Sequence, residues 1–305
     1  MNRLLTLATA LILLLGAGTG YPYDPVTEDP SEQDAAHPAR LGEDVAIASA
    51  GARMNGIVYV AQGPGPHPTA VILHGFPGNE RNLDLAQAIR RAGWNVLFFH
   101  YRGMWGSGGE FSVANELEDV QAALTFLRSD SAARDFQIDA QHIALVGHSL
   151  GGALALLTAA RDPSVRCVAG LAAVNYGTVA KRWGTDTTRA NEIIERINKR
   201  NKGGGPVHYY ADGKTVVEDA VRNAEQYDLL HYADALAQHT VLLVAGTRDS
   251  DAPIAEHYEP LVQALESKAG ARLTKVLLES DHAFSDRRIA LARAVIAWLN
   301  SECRK

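Results

Sequence analysis

The sequence predicts an α/β fold with a mostly parallel central sheet of about eight strands and helices on both faces. Short runs rich in Val, Ile, Leu and Phe, without strict alternation, recur along the 305-residue chain and are typical of strands buried on both faces. Stretches of helical period lie between these runs. Because strand alternates with helix, the sheet should be mostly parallel and covered on both sides.

Eight runs predict strands, at residues 45–50, 56–61, 69–73, 96–101, 143–147, 168–174, 241–245 and 273–278. Five stretches of helical period predict helices, at residues 82–92, 116–129, 149–160, 256–269 and 286–300. Residues 178–228 break the alternation, with many charges and the breaker Gly203-Gly204-Gly205-Pro206. They predict a cap or lid insertion that shapes access to a site. The alternative is a solvated connection without a role.

The N-terminus has the pattern of a secretory signal peptide over residues 1–20. Arg3 precedes an apolar run at residues 4–15, and small residues follow at 16–20. The alternative is an uncleaved anchor, but the apolar run is short against the roughly 20 residues that a span needs. We therefore expect a secreted or periplasmic protein with no stable membrane insertion after cleavage. Residues 21–44, with four prolines, predict a flexible leader to a single domain at 45–305.

The net charge of −6 comes from acids and bases that are mixed along the chain. No basic stripe of the kind that neutralises phosphates is present, so a nucleic-acid partner is not expected. The two cysteines, Cys167 and Cys303, have neither metal-type nor redox-type spacing. Cys167 lies in an apolar run and is interpreted as a buried small hydrophobe. A disulfide with Cys303 is the alternative, since the expected compartment is oxidising.

The strongest chemical motif is Gly147-His148-Ser149-Leu150-Gly151, which matches G-x-S-x-G. A predicted strand precedes it and a predicted helix follows it, so Ser149 should lie on a sharp strand-to-helix turn. Such a turn exposes the hydroxyl and points the first N–H groups of the helix at the site. Ser149 is therefore the predicted nucleophile. The alternative is a serine at the N-cap of the helix, with glycines nearby.

A second motif, His74-Gly75-Phe76-Pro77-Gly78, follows a predicted strand directly. A tetrahedral intermediate needs two donors aimed at its oxyanion. We expect these to be the backbone N–H groups of Phe76 and Leu150. His74 competes for the role of base, but its place in the loop favours a structural role in shaping the turn.

Activation of a serine requires a base and an acid that orients it. In this topology the acid and then the histidine follow the serine along the chain. His282 comes after the last predicted strand and is the predicted base. Asp249 and Asp251 both follow the preceding strand, so chain order alone leaves both open as the acid.

From about residue 45 onward the chain resembles the α/β-hydrolase superfamily. The HGFPG loop, the GHSLGG turn, the GTRD loop with Pro253 and the SDHAF segment occur in the order typical of that superfamily. Its G-x-x-D-x-x-x-P spacing favours Asp249 as the acid and leaves Asp251 to cap the helix that begins near Ile254. The segment at 101–112, YRGMWGSGGEFS, resembles the dienelactone-hydrolase-like and prolyl-oligopeptidase-like branches.

The resemblance implies a secreted bacterial esterase or peptidase without metal or organic cofactor. Roughly 40 residues before the first strand cannot form the propeller of a prolyl oligopeptidase, and dienelactone hydrolases use a cysteine where this chain has Ser149. We therefore expect a carboxylesterase that acts on small to medium esters. A serine peptidase or amidase acting on short peptides is the catalytic alternative. A non-catalytic binding protein on the same fold is the other.

Overall fold

A computed structural model describes residues 22–202 and 212–304 of the chain, in which eight strands form one sheet. The strands are β1 Arg40–Ser49, β2 Ala52–Val60, β3 His67–Leu73, β4 Asn95–Phe99, β5 Ile138–His148, β6 Cys167–Leu171, β7 Thr240–Gly246 and β8 Arg272–Leu278. Their spatial order is β1-β2-β4-β3-β5-β6-β7-β8. β1 and β2 pair antiparallel, and β2 is antiparallel to β4. From β4 to β8 every neighbouring pair is parallel, so the predicted sheet is confirmed.

Ten helices accompany the sheet in the described parts of the chain. They are α1 Leu83–Arg91, α2 Val113–Leu127, α3 Asp130–Phe136, α4 Leu150–Arg161, α5 Tyr176–Thr185, α6 Thr187–Lys202, α7 Gly213–Arg222, α8 Ala233–Leu236, α9 Ile254–Glu266 and α10 Arg288–Trp298. Single 3-10 turns lie at Ala224–Tyr227 and Leu229–Tyr232, and a π-helical turn at Leu299–Cys303 extends α10. The five predicted helices correspond to α1, α2, α4, α9 and α10.

Helix α3 was not predicted as a separate element. Its start is fixed by the Ser129 side chain, which accepts a hydrogen bond from the N–H of Ala132. Ser129 therefore caps α3, whereas the sequence pattern had assigned that residue to the end of α2. The preceding helix ends two residues earlier, at Leu127.

The hydrophobic core has two parts, one on each face of the sheet. In β3, Val71 and Leu73 contribute to the part that α2, α4 and α9 cover, while Ala70 and Ile72 contribute to the part that α1 and α10 cover. This alternation follows from the two-residue period of a strand. Both faces are apolar, which explains why the strand segments have no polar alternation.

The insertion between β6 and β7 is helical, although its helical period in the sequence is weak. It comprises α5, α6 and α7, followed by the two 3-10 turns and α8. The period is weak because α6 is largely polar and keeps only a few side chains, such as Ala190 and Ile197, in the core. The insertion begins at Tyr176, two residues before the predicted boundary.

Part of the segment that was predicted as a flexible leader makes contacts with α1 and α10 in the structure. The Tyr23 hydroxyl donates to the Arg91 carbonyl at 2.6 Å, and the Arg91 guanidinium donates to the Pro25 carbonyl at 2.7 Å. Asp24 pairs with Arg293 of α10. These contacts use backbone carbonyls and charges, so no apolar periodicity marks them. Strand β1 begins at Arg40, five residues before the predicted start of the domain.

Cys167 and Cys303 form a disulfide, the alternative that the sequence left open, with their Cα atoms 5.9 Å apart. The bond joins the first residue of β6 to the turn after α10 across 136 residues. A cross-link over so long a loop lowers the entropy of the unfolded chain and stabilises the fold by about 2–5 kcal/mol.

Two parts of the sequence prediction lie outside the described residues. They are the signal peptide at 1–20 and the glycine-rich breaker at 203–206. Within the ranges 22–202 and 212–304, none of the helices has the length and apolar character that crossing a membrane requires.

Candidate active site

Ser149 occupies the sharp turn between β5 and α4, as the motif predicted. Its backbone has φ 58° and ψ −121°, a conformation that non-glycine residues rarely adopt. The turn is so tight that a Cβ on Gly147 would collide with the backbone of Gly151. The N–H groups of Gly152 and Ala153 both donate to the Ser149 carbonyl, which locks the turn to the first turn of α4. The serine is partly exposed at the carboxyl end of β5.

The structure brings together the three side chains that the sequence singled out. The Ser149 Oγ lies 2.9 Å from His282 Nε2, and His282 Nδ1 lies 2.7 Å from Asp249 Oδ2. His282 follows β8 and Asp249 follows β7, so all three residues lie at the carboxyl edge of the parallel sheet. Ser149 and His282 are 133 positions apart in the sequence. The arrangement gives the hydroxyl a proton acceptor and gives that acceptor a fixed orientation.

The Asp249 carboxylate is held in the ionised state. Its side chain is fully buried, and burial alone would raise its pKa. The hydrogen bond with His282, together with backbone N–H donors from Ala252 and Asp251, outweighs burial and lowers the pKa of Asp249. An ionised carboxylate at this position fixes the Nδ1–H tautomer of His282.

The helix-capping role predicted for Asp251 is wrong. Helix α9 begins at Ile254 with Pro253 in the N-cap position and no side-chain cap. The Asp251 side chain is exposed, and the nearby N–H groups of residues 251 and 252 bond to Asp249 Oδ1. One carboxylate therefore both orders the loop and contacts His282.

The loop after β3 lies directly against the nucleophile. A Cβ on Gly75 would lie 2.8 Å from Ser149 Cβ, so only glycine allows this approach. His74 Nδ1 donates to the Gly75 carbonyl at 2.8 Å, and the Tyr101 hydroxyl donates to the His74 carbonyl at 3.0 Å. In a trans peptide the C=O and N–H point in opposite directions. The Phe76 N–H therefore faces away from the His74 ring.

His74 has the structural role that the sequence favoured over a role as base. Its ring is fully buried, and burial lowers its pKa to about 4. Because His74 Nδ1 donates to a carbonyl, Nε2 must accept, and His100 Nδ1 lies 3.2 Å from it. Burial, followed by the neighbouring His74, lowers the pKa of His100 to about 3. Two neutral histidines, His74 and His100, thus hold the loop after β3 in place.

The segment at 101–112 is anchored by an ion pair that the sequence analysis did not identify. The Asp119 carboxylate is fully buried and accepts hydrogen bonds from the Arg102 backbone N–H at 2.8 Å and from Ser49 Oγ at 2.6 Å. The Arg102 guanidinium pairs with the same carboxylate and donates to the Asn115 carbonyl at 2.7 Å. Arg102 belongs to the segment that the sequence analysis singled out. Its partner Asp119 lies in α2, where no sequence pattern distinguishes it.

Hydrogen bonds and an ion pair join the two ends of the helical insertion to each other. Asn175 Nδ2 donates to Asp228 Oδ1 at 2.8 Å, and the Leu229 N–H donates to Asn175 Oδ1 at 3.2 Å. Lys181 pairs with the other oxygen of Asp228 at 2.9 Å. Both stems of the insertion are thereby fixed beside Ser149, whose carbonyl accepts from the Val174 N–H. The insertion therefore starts directly beside the turn that carries Ser149.

Two aromatic pairs lie on the segments that follow β3, β4 and β6. Phe76 packs against Phe111 with ring centres 5.1 Å apart, and Tyr176 packs edge-on against Trp183 at 5.6 Å. Phe76 and Trp183 are partly exposed. Phe76 directly follows Gly75, which lies against Ser149, so the Phe76 ring offers apolar surface next to the nucleophile. In the described ranges, no group of three or more His, Cys, Asp or Glu side chains is arranged to hold a metal ion.

Comparison with known proteins gives a match to one family and similarity to several solved structures. The model of the family described as "Alpha/beta hydrolase family" matches residues 70–294. The chain is 31% identical over 146 residues to the "Uncharacterized 31.7 kDa protein in traX-finO intergenic region" of Escherichia coli. The matched residues cover 46% of this chain and 49% of that protein. The chain thus spans about half the length of such curated relatives.

Solved structures share the fold at low sequence identity. Est1E from Butyrivibrio proteoclasticus, solved with bound ferulic acid, has a TM-score of 0.61 and 19% identity, covering 86% of this chain and all of that one. An acylaminoacyl peptidase from Pyrococcus horikoshii has a TM-score of 0.62 and 14% identity, covering 88% of this chain and 42% of that one.

The two aspartates of the β7–α9 loop should respond differently to the same substitution. In Asp249→Asn the histidine loses its anionic partner, so kcat should fall by a factor on the order of 10⁴. Asp251→Asn is the matched control, since its side chain is exposed and caps no helix. It should leave kcat unchanged and alter the free energy of unfolding by less than about 0.5 kcal/mol. Steady-state ester hydrolysis and urea denaturation measure both effects. Near-normal kcat in Asp249→Asn would show that Asp249 is not the acid that orients His282.

Proposed function

Because the chain belongs to the alpha/beta hydrolase family, we propose that it is a serine esterase that cleaves small to medium carboxylic esters. The hydrogen-bond chain from Ser149 through His282 to the buried Asp249 carries this proposal. A serine hydroxyl is a weak nucleophile until a base takes its proton. Here the base lies 2.9 Å from the serine hydroxyl, within hydrogen-bond distance.

In the proposed reaction, Ser149 Oγ bonds to the carbonyl carbon of the ester while its proton passes to His282 Nε2. The tetrahedral intermediate collapses when the alkoxide leaves and takes that proton, which releases an alcohol. Water then attacks the acyl-serine with His282 as base, and the acid product leaves. Asp249 stays ionised throughout and stabilises the imidazolium. Each step requires only the residues of this chain and water.

Two backbone donors are proposed to hold the oxyanion, the N–H groups of Phe76 and Leu150. Leu150 is the first residue of α4, where N–H groups lack an acceptor within the helix and the helix dipole favours negative charge. The Phe76 peptide is oriented by the bond between His74 and the Gly75 carbonyl. Donors that are fixed in this way do not need to reorganise as charge develops.

The choice of an ester substrate is supported by the surroundings of Ser149. The partly exposed Phe76 side chain, next to the Gly75 that contacts Ser149, offers apolar surface to an acyl or aryl group. We propose that the helical insertion after β6 forms the other wall of the pocket. The same triad chemistry serves amide hydrolysis, so a peptidase or amidase remains the alternative to be separated by experiment.

We also propose that the protein is exported to an oxidising compartment. The Cys167–Cys303 disulfide supports export, because structural disulfides persist outside the reducing cytosol. The signal-peptide pattern over residues 1–20 supports it independently.

Ester hydrolysis is tested with a panel of p-nitrophenyl esters of rising acyl length, beside aminoacyl-p-nitroanilides. We expect a higher kcat/KM for short and medium esters than for any anilide, and loss of both turnover and fluorophosphonate labelling in Ser149→Ala. A higher kcat/KM for anilides would indicate the peptidase. Absence of both turnover and labelling in the wild type would indicate a binding protein on the hydrolase fold.

Export is tested by mass spectrometry of the protein recovered from fractionated native host cells. We expect a mature N-terminus near Tyr21 in the periplasmic or extracellular fraction. Recovery of the full-length chain from the cytoplasm, with Cys167 and Cys303 as free thiols, would contradict the proposal.

A further inference from the structure

His148, the first of the two variable residues in the G-x-S-x-G motif, contacts the backbone of the proposed base. Its Nε2 lies 2.8 Å from the carbonyl oxygen of His282, and the two ring centres are 4.9 Å apart. The His148 side chain is buried, with 5% of the residue exposed. Because His148 directly precedes Ser149, this one contact ties the turn of the nucleophile to the loop of the base across 134 residues.

The contact fixes the protonation of the His148 ring. A carbonyl can only accept, so Nε2 carries the proton and donates. Burial, and after it the neighbouring His282, lowers the pKa of His148 to about 4, so the ring is neutral at neutral pH. A neutral donor leaves the positive charge that forms on His282 without a second cation beside it. A charged residue here would oppose that step.

The other nitrogen of the same ring is unusual. His148 Nδ1 is buried and has no hydrogen-bond partner in the described structure. An unsatisfied buried polar atom destabilises a fold and calls for an explanation. An apolar ring of similar size would avoid that penalty, so the value of a histidine at this position lies in the hydrogen bond from Nε2.

The loop that carries His282 is also held at the next carbonyl. Arg288 Nη1 donates to the Ala283 carbonyl at 2.9 Å, and the Arg288 guanidinium pairs with Asp84 of α1. The Arg288 contact anchors the loop to α10 and α1 on one side. The His148 contact anchors it to β5, on the side of Ser149.

We infer that His148 is a positioning residue. It holds the backbone of His282 in the position from which His282 Nε2 reaches Ser149 Oγ. This inference rests on the proposed function for its kinetic test. The reacting atoms must be placed to within a fraction of an ångström, and a 1 Å error costs about a hundredfold in rate. Loss of the contact should therefore lower kcat and leave substrate binding unchanged.

The test compares three substitutions at this position. His148→Phe keeps a ring and removes the donor, His148→Gln keeps a donor near the position of Nε2, and His148→Asn places its amide nearer the position of Nδ1. With the best p-nitrophenyl ester, we expect kcat to fall on the order of tenfold to a hundredfold in the Phe and Asn variants, with KM within about twofold. Gln should restore kcat to within about threefold of the wild type.

His239→Phe is the matched control. His239 is also buried and donates from its ring to a backbone carbonyl, that of Val165, at 2.6 Å. It lies before β7, at the edge of the sheet opposite to Ser149. It should lose stability without loss of kcat, which separates a general effect of removing a buried donor from an effect on His282.

A spectroscopic measurement tests the inference without relying on turnover. The Nδ1 proton of His282, in its hydrogen bond to Asp249, should give a downfield proton NMR signal in the wild type, assigned by its loss in Asp249→Asn. This signal should shift or broaden in His148→Phe and persist in His148→Gln and His239→Phe. Unchanged kcat and an unchanged signal in His148→Phe would overturn the inference, as would a Gln variant as impaired as Phe. A wild type without turnover or fluorophosphonate labelling would instead defeat the proposed function.

Discussion

The backbone of Ser149 is held at φ 58° and ψ −121°, and the rest of the site depends on this one strained residue. A non-glycine residue in such a conformation is unfavourable by about 1–3 kcal/mol and persists only where its surroundings determine it. Here the surroundings are β5 on one side and α4 on the other. The strain directs the hydroxyl out of the sheet and aligns the first N–H groups of α4 beside it.

The groups around this turn divide into one fixed charge and several neutral donors. Asp249 is the buried anion, and its ionisation is secured by His282 and by backbone N–H groups. His74 and His148 are buried, neutral and bonded to backbone carbonyls on either side of Ser149. Charge changes during the proposed reaction are therefore confined to His282 and the oxyanion. Fixed neutral dipoles hold the geometry without competing for the proton.

Much of this arrangement could be predicted from the sequence, because it depends on local patterns. The strand segments were visible as apolar runs, and Ser149 was marked by its glycines and by the strand and helix beside it. His282 and Asp249 were identified from their place after the last strands. The order of the strands in space, with β3 between β4 and β5, places the Gly75 loop beside Ser149.

Other features had no local signal in the sequence. The contact between His148 and His282 joins residues 134 positions apart, and the motif treats His148 as variable. The contacts of the N-terminal segment with Arg91 and Arg293 use carbonyls and charges, which leave no periodic pattern in the sequence. The cap on α9 was misassigned to Asp251, since spacing alone cannot show which carboxylate receives the loop N–H groups.

We propose that Ser149 forms a covalent acyl intermediate during turnover. Rapid mixing with p-nitrophenyl acetate, an acid quench within the first turnover and mass spectrometry of the digested protein test it most directly. We expect one acetyl group on the peptide that contains Ser149, at a level that falls on further incubation as water releases acetate. Hydrolysis of the ester without any acetylated peptide, or with acetyl on another residue, would contradict it.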